Sequence, residues 1–156
     1  MYKKILVPLD GSALSELALP HAQALAHHFE SEVILTRVCQ PVAMPVEFYP
    51  AMAGVAYDYH LDLQTQVEKE VQQYLQNWQK KLQLAKVKCR YVALEGFVPE
   101  AILKTAETEG VDLIVMSTHG RSGLSRWVYG SVAAKVLQAA PCPIFLVRAK
   151  NHPEHT

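Results

Sequence analysis

The chain has 156 residues, half of them apolar, and its 15 acidic and 15 basic side chains leave no formal net charge. That length suits one ordinary domain, expected over residues 1–149 with a polar tail over 150–156, and the balanced charge argues against recruitment by nucleic acid or an anionic membrane. No apolar stretch reaches the roughly 18 residues of a membrane span, and the N-terminus enters a short apolar run with no signal-peptide pattern, so the expected location is cytoplasmic.

Ile5-Leu6-Val7 is a short apolar run stopped by Pro8 and reads as a first strand. Leu14 to Phe29 carries Leu14, Leu17, Ala18, Leu25 and Ala26 at helical spacing, and Pro20 inside that pattern predicts a bend or a late helix start. Val33 to Val38 is a second buried strand. Pro41 to Gly54 holds three prolines and no period, which predicts a long loop, and Asp62 to Leu84 reads as a long amphipathic helix.

Val87 to Leu94 is a third strand, Pro99 to Glu107 a helix with proline at an early position, and Leu113 to Met116 a fourth strand. Ser131 to Gln138 is a last helix and Ile144 to Val147 a fifth strand. Strands and helices alternate, and the strands are continuous apolar runs. This is the pattern of an α/β fold with a parallel sheet covered on both faces.

Ligands of such sheets bind beyond the carboxyl ends of the strands, at the crevice where strand order reverses. The fourth strand runs into a loop of small and polar residues, Ser117 to Gly123, and Gly130-Ser131 opens the following helix. A glycine that admits close backbone approach, ahead of a helix whose first N–H groups carry positive partial charge, is suited to an anion. The first strand ends in Pro8-Leu9-Asp10-Gly11-Ser12, where Asp10 is either a ribose acceptor or a turn residue ahead of the helix.

The segment Ser117-Thr118-His119-Gly120, nine further residues, then Gly130-Ser131, together with VPLDGS, TRV and PCPIFLVR, resembles the universal stress protein family and its nucleotide motif G-x-x-G-x9-G-[ST]. Ser117 stands where that motif has its first glycine. The resemblance implies an open five-stranded parallel sheet in the order 3-2-1-4-5 with helices on both faces, Rossmann-like in the manner of adenine nucleotide alpha hydrolases. It implies ATP or AMP as ligand, with any Mg or Mn held through the phosphates, and a stress-response sensor or regulator that is a homodimer through Ile144 to Arg148. The implied nucleotide-binding residues are Pro8, Leu9, Asp10, Val38, Met116, Ser117, His119, Gly120, Arg121, Gly130, Ser131 and Val132, with Pro8, Leu9 and Val38 lining the adenine.

Blander roles compete at several of these positions. Ser131 fits an N-cap, Arg121 and Arg126 a solvated loop, and His119 a packing residue, since Gly120-Arg121-Ser122-Gly123 is not a nucleophile elbow. The absence of G-x-G-x-x-G after the first strand and of G-x-x-x-x-G-K-[ST] argues against a dinucleotide fold and a P-loop NTPase. A receiver domain needs more acidic residues at that strand end. Cys39, Cys89 and Cys142 read as reduced core thiols, and His152 and His155 as tail. Two other functions stay open, an interaction module of the same fold without nucleotide and a slow ATP hydrolase.

Overall fold

In the computed structural model, which describes residues 1–41, 53–118 and 130–148, the chain alternates between strands and helices. They are β1 (Lys4–Pro8), α1 (Ala13–Glu16), α2 (Ala18–Phe29), β2 (Glu32–Cys39), α3 (Ala53–Leu84), β3 (Lys88–Glu95), α4 (Val98–Thr108), β4 (Leu113–Ser117), α5 (Ser131–Ala139) and β5 (Ile144–Val147). All strand pairs are parallel, in the order β3-β2-β1-β4-β5. The expected fold and strand order are therefore those observed.

β1 is central because it is apolar on both sides. Ile5, Leu6 and Val7 are fully buried, with Ile5 opposite Val33 of β2 and Leu113 of β4. Ile5 and Val7 join Val33, Leu35 and Val115 under α2 and α3, through Ala22 and Leu75, whereas Leu6 joins Ile34 and Ile114 under α4 and α5, through Ile102 and Val136. A strand buried on both faces has no polar register to alternate with, which is why the sequence shows runs.

Pro20 breaks the first helical stretch upstream of itself. It sits three residues into α2, where its missing N–H would have met the Glu16 carbonyl and its ring crowds that oxygen, so the chain restarts at Leu17, between α1 and α2. Ser12 caps α1 by accepting the Ser15 N–H at 3.2 Å.

The helix expected from Asp62 already runs from Ala53, so Gly54 is helical and not loop. Val55, Tyr57, Tyr59 and Leu61 are exposed there, and helical turns whose large apolar side chains face outward leave no buried stripe to read. Burial begins farther along, at Val71, Leu75 and Leu82. The rest of the expected loop, residues 42–52, and the tail beyond 148 lie outside the described residues.

Cys39 and Cys89 are buried, Cys142 is partly so, and all three are free. Burial pushes the Cys89 thiol up to about 12 and raises the other two, so the three stay protonated at neutral pH. Among the described residues no helix is long and apolar enough to cross a membrane.

Candidate functional site

The carboxyl ends of β1, β2 and β4 open on a cavity of about 320 Å³, closed by α3 and α4 at its sides and by the start of α5. The turn after β1 is tied by hydrogen bonds. Leu9 N–H reaches the Thr36 carbonyl at 2.8 Å, Asp10 Oδ1 accepts the Ser12 N–H at 2.8 Å, and Asp10 N–H donates to Ser15 Oγ at 3.3 Å. The turn role foreseen for Asp10 is thus observed in its Oδ1 bond, and the residue also lines the cavity.

The far wall is fixed by backbone. Thr118 N–H donates to the Val147 carbonyl at 3.0 Å and Gly130 N–H to the Thr118 carbonyl at 2.9 Å, which holds the start of α5 against the end of β4. Gly130 is itself the N-cap, and among the described residues no side chain caps the helix. Ser131 is therefore the first helical residue and not the cap that its type suggests. Among the described residues no side chain accepts from the first N–H groups of α5, which carry the positive end of the helix and suit an anion.

Pro8, Leu9, Asp10, Val38, Met116, Ser117, Gly130, Ser131 and Val132, all expected at a site, line this one cavity. His119, Gly120 and Arg121 lie outside the described residues. The profile of the Universal stress protein family matches residues 1–148. The chain belongs to this family.

A universal stress protein of Methanocaldococcus jannaschii is 32% identical over 97% of this chain and 98% of its own. A solved structure of a protein named for the same locus superimposes with a TM-score of 0.81, again at 32% identity, over 97% and 99% of the two chains. A universal stress protein family protein from Arabidopsis thaliana, solved with AMP bound, has a TM-score of 0.63 at 14% identity over 96% and 93% of the chains; a universal stress protein solved in complex with cAMP has 0.58 at 18% over 96% and 98%. At those identities the likeness is one of fold.

Within this universal stress protein the cavity has further walls that motif reading passes over. Val67 and Val71 of α3 and Val98 and Ile102 of α4 give it apolar sides, and Arg37 and Gln40 add polar groups from β2 and its end. The valines and Ile102 look like ordinary core in sequence. Arg37 had a signal, a charge inside the apolar run Val33 to Cys39.

The Arg37 guanidinium lies 4.9 Å from the Tyr74 ring centroid. Tyr74 Oη donates to Glu16 Oε1 at 2.8 Å, and Trp78 Nε1 donates to the same oxygen at 3.2 Å. Burial and the Glu16 bond push the Tyr74 phenol up, which keeps it a neutral donor. Ser117 Oγ is buried without a hydrogen-bond partner, as is Thr36 Oγ1. Among the described residues Asp10 is the lone acid on the cavity wall, no histidine or cysteine joins it, and no cluster of three His, Cys, Asp or Glu could hold a metal ion.

Proposed function

We propose that the cavity binds an adenine nucleotide, ATP or AMP, and that the protein serves as a homodimeric, cytoplasmic sensor or regulator in stress responses. The observation that carries this reading is the Gly130 to Thr118 bond, which fixes a helix N-terminus, capped by no described side chain, at the mouth of an apolar cavity. Phosphate oxygens meet the first N–H groups of α5 next to Gly130 and Ser131, and the ribose lies by Asp10. The base enters between Val38, Val98 and Ile102. A buried, unpaired Ser117 hydroxyl fits a ligand rich in oxygen, since leaving such a group unsatisfied costs about 1–3 kcal/mol. The AMP and cAMP held by relatives of the same fold support the ligand class.

A divalent ion such as Mg or Mn would be carried by the phosphates, because the described walls offer one carboxylate. That same scarcity of acids and bases disfavours hydrolysis. A second reading, an interaction module that binds no nucleotide, draws on Ser117 in the place of the motif's first glycine.

Mass spectrometry of small molecules released from the purified protein, followed by calorimetric titration with ATP and AMP, separates these. Bound adenine nucleotide supports the sensor. No released nucleotide and no heat from either titrant leaves the interaction module.

A further inference from the structure

Arg37 is the one charged residue between Val33 and Cys39. Alternation along β2 turns it to the same side of the sheet as Val33, Leu35 and Cys39, under α2 and α3, and turns Val38 to the α4 side with Ile34. Its guanidinium crosses over the turn after β1, where Nη1 stands 2.7 Å from the point that a Cβ on Gly11 would occupy. Tyr74 supports it from behind and is held in turn by Glu16. The cation is thus placed before any ligand arrives, which spares the cost of ordering a long side chain on binding.

Among the described residues no carboxylate forms an ion pair with Arg37. Ser117, two strands away on β4, faces the same side as Leu113 and Val115, and its hydroxyl is buried with no partner. Backbones two strands apart stand about 9–10 Å from each other, a span that the long arginine side chain partly closes. One face of the cavity therefore carries a positioned cation and an unsatisfied hydroxyl, both on the opposite side of β1's end from α4 and Val38.

We propose that Arg37 and the Ser117 hydroxyl form a second anion subsite, and that the ligand is an adenine nucleotide phosphorylated on its ribose as well as at its 5′ position; this rests on the nucleotide reading above. With the 5′-phosphate at the start of α5 and the ribose at Asp10, the guanidinium over Gly11 borders the 2′ and 3′ edge of the sugar. A plain hydroxyl there leaves the guanidinium without counter-charge. A phosphate there meets a planar fork of donors suited to its oxygens.

Calorimetric titration of the full chain with AMP, adenosine 3′,5′-bisphosphate and adenosine 2′,5′-bisphosphate tests this. One bisphosphate should bind at least about tenfold tighter than AMP, the low end for a hydrogen bond to a charged group, and the ratio should shrink as salt is raised. Arg37→Gln should bring the ratio near unity. Ser117→Ala, which removes an unsatisfied buried hydroxyl and so leaves the free protein at least as stable, should lower the same ratio. Should Arg37→Gln fail to fold, the wild-type ratio and its salt dependence still decide. AMP binding with no preference for either bisphosphate would overturn the second subsite alone, as would a preference that survives Arg37→Gln; no binding of AMP, ATP or either bisphosphate would overturn the nucleotide reading and this one with it.

Discussion

Asp112 Oδ2 accepts the backbone N–H of both Lys3, at 2.8 Å, and Lys4, at 2.9 Å. One carboxylate oxygen at the start of β4 thereby pins the start of β1, and the Asp112 N–H returns a bond to the Lys4 carbonyl at 3.0 Å. The pairing of the two strands that frame the cavity is set at the opposite end of the sheet from the ligand.

Those two backbone bonds hold the Asp112 carboxyl below the usual carboxylate range, and the Arg90 guanidinium does the same for Glu109. A depressed folded-state pKa contributes stability that is present above the unfolded value, about 4, and is lost as pH falls through the folded one. Denaturant melts should accordingly show stability falling below about pH 4. Asp112→Asn should lower stability at pH 7 by about 1–2 kcal/mol and flatten that acid limb. An unchanged pH profile in the variant would assign the acid sensitivity to other groups.

Gly11 is required on two counts. Its φ of +84° is one that side-chain-bearing residues rarely adopt, and the space a Cβ would take is held by the Arg37 guanidinium. Gly11→Ala should cost about 1–2 kcal/mol of stability from the backbone alone, and should displace Arg37 from the cavity wall. Chemical melts read the first effect. The second appears as weaker nucleotide binding measured on the folded fraction, and an alanine variant with wild-type stability would contradict the backbone assignment.

Gly130→Asp should abolish nucleotide binding while the fold survives. The position is a helix N-cap, where aspartate is well tolerated, so the substitution stabilises α5 by capping it and closes the same N–H groups to phosphate with a competing charge. Circular dichroism and calorimetry on one preparation check both halves. A folded variant that binds ATP as tightly as the wild type would remove the phosphates from the start of α5.

Much of this was legible in the chain. Apolar runs gave the strands to within a residue or so, most plainly for β1, β2 and β4, which lie inside the sheet, and the strand ends with the start of the last helix then pointed to Asp10, Ser117 and Gly130, which line one cavity. What sequence could not give depended on contacts between distant residues. Arg37 becomes part of the cavity wall in the company of Tyr74 and Glu16, which lie on other elements. Val98 and Ile102 serve core and cavity with the same side chains. The first turns of α3 left no period because their large side chains face outward.

The proposed homodimer gains a specific test from the bonding of β5. This strand ends the sheet order and pairs with β4 alone among the described residues. The carbonyls of Pro143 and Val147 accept bonds from Ile114 and Thr118, both at 3.0 Å, so the odd-numbered residues of the strand direct their backbone groups inward to β4. A strand residue's N–H and C=O point the same way and alternate along the chain, so Ile144, Leu146 and Arg148 direct theirs outward. An apolar edge whose outward groups pair with no described strand is a template for a second copy, and a two-fold axis would satisfy both copies with one antiparallel pairing. Phe145, 39% exposed and tilted against His21 at 5.5 Å between ring centroids, would lie beside that seam. Leu146→Pro removes an outward donor and leaves the bonds to β4 in place, a position where edge strands accept proline. The variant should keep its helical circular dichroism and sediment as a monomer at micromolar concentrations where the wild type is a dimer. A wild-type chain that is monomeric under those conditions, or a proline variant that still pairs, would place any assembly away from β5.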